Sequence, residues 1–216
     1  MGFDRTMRNM DNLNIALFDG VGPYGIPKLK PETEIARDFI GFHFTKSMKT
    51  GAGLGVHFFE EDYLFARLWT SPDTYLPVLG MFDCLLTPDF SLYTDYPVAM
   101  QIWNHYRKHW LGALWQEQGF RVIPTIAWSD ERSFDWCFDG EPVGGVVAVS
   151  SVGTQKTAES RRLFLLGYEE MKRRLSPAKI LFYGIVPDEC KRDELICIRP
   201  FQDVMRSRAQ RERDLI

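Results

Sequence analysis

The sequence carries few of the signatures that would name a chemistry. Its four cysteines, Cys84, Cys137, Cys190 and Cys197, form no C-x-x-C pair, so a zinc site lacks its ligand spacing and no metal site is assigned. Cys84 and Cys137 lie in apolar surroundings and read as buried free thiols of a reducing cytosol. No apolar run approaches the length of a membrane span. The opening MGFDRTMRNMDN is polar and mixed in charge, unlike a signal peptide. A cytoplasmic protein without a membrane partner is expected. The net charge of -3 speaks against coating nucleic acid by bulk electrostatics, leaving only a local basic patch. There is no G-x-S-x-G elbow, no Ser-His-Asp order and no full P-loop. His105 and His109 stand at i, i+4, but without the intervening Glu of a metalloprotease. No motif assigns a cofactor.

What is present is ordinary core material in a distinctive order. The 216 residues are 45% hydrophobic and 25% charged, enough for a sizeable core without a staple. Residues 1–34, punctuated by Asp19-Gly20, Gly22-Pro23, Gly25, Pro27 and Pro31, read as an irregular lead-in. Residues 35–200 read as a single α/β domain, and residues 201–216 as an Arg-rich helix or tail. Strands are expected over 40–48, 55–59, 83–87, 121–128, 146–150 and 179–185. Helices are expected after Glu60-Glu61-Asp62, after Ser71-Pro72-Asp73, after the cap Asp95, and after the cap Thr157. The long helix that Gly119 stops should show an apolar face of Ile102, Trp103, Tyr106, Trp110 and Leu114. Pro124 inside 121–128 removes a ladder donor and marks an edge, a bulge or a strand start. Strand and helix alternate from residue 55 onward, which predicts an α/β fold: five or six mostly parallel strands with flanking helices, as an open sheet or a partial barrel. A complete eight-fold barrel usually needs about 250 residues.

In such folds ligands bind outside the carboxyl ends of the strands. The residues that follow the expected strands are Glu60, Glu61 and Asp62; Asp89, Ser91 and Tyr93; Trp128, Ser129, Asp130, Glu131 and Arg132; Ser150, Ser151, Gly153 and Thr154; and Tyr183, Gly184, Asp188 and Glu189. Carboxylates and hydroxyls thus converge from five loops. Asp89, Asp130 and Glu131 are the candidate acid/base carboxylates. Asn104 and Arg107, three apart on the long helix, share a face, and Arg107 or Arg132 could clamp an anion. Ser91, Trp128, Ser151, Gly153 and Tyr183 complete the candidate ligand contacts. Each has a structural alternative: an Asx-turn at Asp89, a helix cap at Asp130 and Glu131, a simple turn at Ser150–Thr154, a core position for Tyr183, and an ion pair at Arg107.

The ordered strings LTPDFSLY, WNHYR, VIPTIAWSDERSFDWCFDG, VAVSSVG and LFYG resemble the domain of unknown function 4417, found in bacterial, plasmid and bacteriophage proteins. The resemblance runs from about Tyr24 to Pro187, with matching positions at Asp89, Ser91, Asn104, Arg107, Trp128, Asp130, Glu131, Arg132, Ser133, Gly140, Gly153, Tyr183 and Gly184. Where the family shows WNTYRNRALGYW-like text, His109-Trp110 replaces part of the basic cluster. The resemblance implies an intracellular α/β protein often carried on mobile elements, and it transfers no catalytic role. Two functions follow as expectations. The first is a polar pocket for a phosphate-bearing or nucleotide-like ligand. The second is a non-catalytic phage or mobile-element protein that binds a host protein or nucleic acid, in an anti-defence or replication role, partly through the Arg-rich C-terminus around Arg206, Arg208, Arg211 and Arg213.

Overall fold

The computed structural model describes residues 6–8 and 14–214. Its centre is a run of parallel strands: β1 (Asp38–Gly41), β2 (Gly51–His57), β3 (Phe82–Leu86), β4 (Val122–Ile123), β5 (Val146–Ser150), β6 (Lys179–Tyr183) and β7 (Leu195–Cys197). They form a four-stranded sheet in the order β1-β2-β3-β4 and a three-stranded sheet in the order β5-β6-β7. Every pairing within these sheets is parallel. Two short antiparallel pairs, Thr6–Arg8 with Asn14–Ala16 and Gly20–Val21 with Ile26–Pro27, precede them. The principal helices are α1 (Pro72–Leu79), α2 (Val98–Glu117), α3 (Ala158–Leu175) and α4 (Phe201–Asp214). No helix among the described residues is long and apolar enough to cross a membrane.

The two sheets meet at one parallel bridge, Thr125 to Ala148. Pro124 explains the interruption. It has no N–H to give, but its carbonyl accepts from the Ala148 N–H at 2.8 Å. The Ala148 carbonyl in turn accepts from Ile126 N–H at 2.8 Å. Towards β3, the Thr87 hydroxyl accepts from Thr125 N–H, and the Thr125 hydroxyl donates to the Thr87 carbonyl, both at 2.8 Å. Side chains therefore continue a ladder that the backbone cannot, and the long strand expected over 121–128 shrinks to Val122–Ile123 plus this seam.

Strands join in chain order, so there is no point where the winding reverses; the sheets curl instead. Phe59, just past β2, stacks on Tyr183 of β6 with ring centroids 4.9 Å apart. Asp38 at the start of β1 accepts from Arg199 just past β7. No ladder between β7 and β1 closes the curl among the described residues. Within β5, Val146 and Ala148 join one apolar cluster with β1–β4, while Val147 and Val149 face a second with Phe164, Tyr168 and Met171 of α3. Alternating residues thus bury both faces, as parallel strands do.

Several expectations change. The stretch 40–48 is a strand only to Gly41; Phe42–Ser47 then forms a 3-10 turn, stabilised by the Thr45 hydroxyl on the Phe42 carbonyl at 2.7 Å. β2 begins at Gly51, ahead of the strand expected over 55–59, and β7 completes a seventh strand. Pro97, not Asp95, occupies the cap of α2. The buried side of α2 is partly polar, with Gln101, Asn104, His105, Lys108 and His109 buried alongside Trp110, Leu111, Ala113 and Trp115, while Trp103 and Tyr106 are only partly so. Each of these polar side chains bonds a backbone carbonyl outside the helix: Tyr93 and Tyr96, Ser91, Asp139, Thr125 and Pro27 respectively.

The segment before β1 and the C-terminal helix both pack on the body. Trp110 donates to the Ala16 carbonyl at 2.7 Å, and Val146 N–H to the Glu32 carbonyl at 2.7 Å. Phe201 stacks on Phe44, and Val204 is buried. Arg211 joins Arg199 on Asp38, so the C-terminal helix is held rather than free. The side chains of Arg208 and Arg213, named above, lie outside the described residues.

Gly55 shows how tight the sheet is. A Cβ there would meet the Phe39 ring at 2.4 Å and Cys84 Sγ at 3.0 Å. Gly55→Ala should lower unfolding stability by about 1–3 kcal/mol through overpacking, seen as a lower urea midpoint at unchanged slope. An unchanged midpoint would contradict this packing.

Candidate functional site

The carboxyl ends of the strands open into one cavity of about 710 Å³. All seven strands or the loops after them contribute: Gly41 and His43; His57, Phe59, Glu60 and Glu61; Asp89 and Ser91; Trp128 and Ser129; Ser150, Gly153 and Thr154; Tyr183; and Arg199. The curl of the sheets makes this wall.

Asp89 is its central feature. The loop that carries it is fixed on three sides. Asp62 accepts from Ser91 N–H at 3.1 Å and from the Ser91 hydroxyl at 2.9 Å. Asn104 donates to the Ser91 carbonyl at 2.7 Å. Arg107 lies 3.6 Å over the Phe90 ring and donates to Asn104 at 2.7 Å. The Asp89 carboxyl itself lines the cavity. Burial pushes its pKa up to about 7, with Lys108 opposing the rise and Asp62 adding to it. A carboxyl group that titrates near neutrality in a cleft is a functional candidate on physical grounds.

Glu60 also lines the cavity. It accepts from the His43 ring and from His43 N–H, and its own side chain is only 6% exposed. His57 is held neutral by burial, its pKa lowered to about 3, with His43 adding to the effect. Its Nδ1 accepts from Phe59 N–H at 3.3 Å. Aromatic surfaces flank these groups: Phe59 on Tyr183, Phe44 on Phe201, and Trp128, which is anchored to the Leu163 carbonyl at 3.1 Å and packs over Gly167.

Of the residues singled out in the sequence, Asp89, Ser91, Trp128, Gly153 and Tyr183 come together in the cavity wall. The others do not. Asp130 caps the 3-10 turn Glu131–Asp135 and pairs with Arg132, which holds its carboxyl below the usual range. Glu131 is exposed and pairs with Arg162 at 2.6 Å. The carboxylates Asp89, Asp130 and Glu131 therefore form no joint site. Asn104 and Arg107 support the 89–91 loop from behind, and Ser151 is spent on the Ile185 carbonyl at 2.7 Å. The Ser150–Thr154 stretch is not a free anion cradle: Val152 N–H bonds Ser150 Oγ, Thr154 Oγ1 bonds the Ser151 carbonyl, and a Thr157/Ser160 capping box seals the start of α3. His43, His57, Phe44 and Arg199 were not anticipated, because His43 and Phe44 sit in a turn that read as strand, His57 inside a strand, and Arg199 beyond an unread one.

The Asp89 shift fixes a pH dependence. Its folded pKa lies above the usual carboxyl value, so its favourable contribution is full below about pH 4 and is lost as pH rises through 7. Asp89→Asn, which never ionises, should match wild type at pH 4 and exceed its stability by about 4 kcal/mol at pH 8 in urea unfolding. A difference independent of pH would contradict the buried carboxyl.

Comparison with known proteins places this sequence in a family. The chain is 40% identical over 177 residues to the "Gene 1 protein" of Mycobacterium phage D29, covering 81% of this chain and 66% of that protein's length. It is 39% identical over 177 residues to the "Gene 1 protein" of Mycobacterium phage L5, covering 81% of this chain and 77% of that protein. No solved structure matches significantly. A family profile, the domain of unknown function DUF4417, matches residues 18–202, and the chain belongs to that family.

Proposed function

We propose that the cavity binds a small, flat, polar ligand of the nucleotide-like class, with the base inside and any phosphates at the open mouth. The observation that carries this reading is Asp89: a cavity-lining carboxyl, pushed up to about 7, with no donor bonded to it among the described residues. Near neutrality such a group both accepts and donates hydrogen bonds, which suits the mixed edge of a heterocycle. Glu60 supplies a second acceptor, and the Phe59–Tyr183 pair and Trp128 offer stacking faces. Three carboxylates, Glu60, Glu61 and Asp89, line the wall, and the guanidinium of Arg199 is engaged by Asp38. This charge balance favours a base or nucleoside over a phosphate in the interior.

A macromolecular partner is the second reading. It is supported by the apolar side chains of Tyr63 and Ile185, 75% and 77% exposed, and by the relationship to phage proteins. The engagement of Arg211 by Asp38 weakens the part of it that rests on the C-terminal helix.

A thermal-shift series with nucleobases, nucleosides and nucleotides separates the two. At a hundredfold excess over its dissociation constant a true ligand adds about 2.7 kcal/mol of stability. The shift should vanish in Asp89→Asn and persist in Asp130→Ala, whose carboxylate lies outside the cavity wall. No shift from any compound with folded wild type, or a shift lost only in Asp130→Ala, would overturn the cavity reading.

A further inference from the structure

Away from the cavity, α2 buries a second cluster. His105 and His109, one turn apart, meet Glu141 from the loop before β5, and one ligand atom from each lies within 4.8 Å of the others. All three are buried, and none lines the cavity.

The hydrogen bonds fix which atoms face inward. His105 Nε2 lies 3.0 Å from the Asp139 carbonyl. A carbonyl only accepts, so this nitrogen carries the hydrogen and Nδ1 holds a lone pair. That Nδ1 is buried with no partner. His109 Nδ1 lies 2.8 Å from the Pro27 carbonyl and by the same argument donates. Its Nε2 then turns towards Glu141 Oε1 at 2.9 Å. A lone pair facing a carboxylate oxygen is repulsive unless a positive centre lies at that contact. Glu141 Oε2 is also buried without a donor. Each imidazole thus donates one nitrogen to a backbone carbonyl and directs the other into the cluster, the arrangement that metal-binding histidines use to fix their tautomer.

We propose that His105 Nδ1, His109 Nε2 and Glu141 Oε2 bind a divalent transition metal, zinc by the nature of the donors, and that the ion ties α2 to the segment before β5. Two imidazoles and one carboxylate are a borderline N/O set suited to zinc, with a fourth position for water. Lys108 is the obvious competitor, and its contacts leave room. Its ammonium takes Glu141 Oε1 at 2.6 Å and the Thr125 carbonyl at 2.9 Å, so one carboxylate oxygen serves the lysine and the other the ion. Burial away from the cavity makes the role structural. Gly140 fits this tight corner, since a Cβ there would meet His109 Nδ1 at 2.8 Å and the Pro27 carbonyl at 2.5 Å.

The test is elemental analysis of the full chain, expressed with zinc supplied and passed through gel filtration. About one zinc per chain should remain. Strong chelation should lower the melting temperature, and Co2+ reconstitution should give visible ligand-field bands of a nitrogen/oxygen site. His105→Gln, which removes one ligand and leaves the Lys108–Glu141 pair in place, should lose the metal about a hundredfold while circular dichroism stays native. If that variant does not fold, the wild-type measurements decide alone. Folded wild type without metal, unmoved by Zn2+ or Co2+, would overturn the proposal in favour of a proton held between His109 and Glu141. Metal retained equally in folded His105→Gln would overturn it too, by placing the ion elsewhere.

Discussion

The structure turns on the seam at Thr125. Two parallel sheets meet there through a single bridge, next to a proline that has no N–H to donate. Three compensations hold it: the Thr87 and Thr125 hydroxyls, the Pro124 and Ala148 carbonyls, and the Lys108 ammonium on the Thr125 carbonyl. Lys108 is almost wholly buried, and its charge is matched by Glu141. An unmatched ammonium there would carry a large desolvation penalty, so the seam and the buried ion pair stand together. The seam is the backbone link between the two sheets, and the Phe59–Tyr183 stack and the Asp38–Arg199 pair add side-chain links to the same wall.

That wall decides where chemistry can occur. A doubly wound sheet creates a crevice where its winding reverses, but these strands join in chain order and offer no such point. The curl replaces it by bringing the ends of β2 and β6 into aromatic contact, and the cavity lies among the loops between. The segments leaving the seam, Pro88–Ser91 and Ile126–Ser129, supply adjacent parts of its lining. Asp62 and Asn104 hold the first of these by its backbone, which leaves the Asp89 carboxyl to face the cavity. Asp89 accordingly feels both the low-dielectric wall and the Lys108 charge behind it.

The sequence made the parallel α/β plan legible because β-branched runs such as Val146–Ser150 and capped helices such as Ala158–Leu175 have strong local signals. The carboxyl-edge argument then reached Asp89, Ser91, Trp128, Gly153 and Tyr183 from topology alone, since position relative to the sheet is fixed once strand direction is known. It failed where function depends on side-chain direction. Asp130 and Glu131 follow a strand yet find exposed arginines two and thirty-one residues away. Arg107 and Asn104 share a helix face, but that face meets the back of a loop. Burial of the polar side of α2 was not legible, because nothing local reveals that distant carbonyls await Gln101, His105, Lys108 and His109. Pro124 was a visible warning, and its resolution needed the Thr87 hydroxyl, thirty-eight residues before Thr125.

The most direct test of the account is the titration of the Asp89 carboxyl by carbon NMR in selectively labelled protein, with Asp89→Asn to assign the resonance. The account predicts a midpoint of about 7, because an unpaired carboxyl is held in the wall of the cavity. A midpoint in the ordinary aspartate range, near 4, would mean that the group is solvated or paired and would remove the physical basis for a ligand site there.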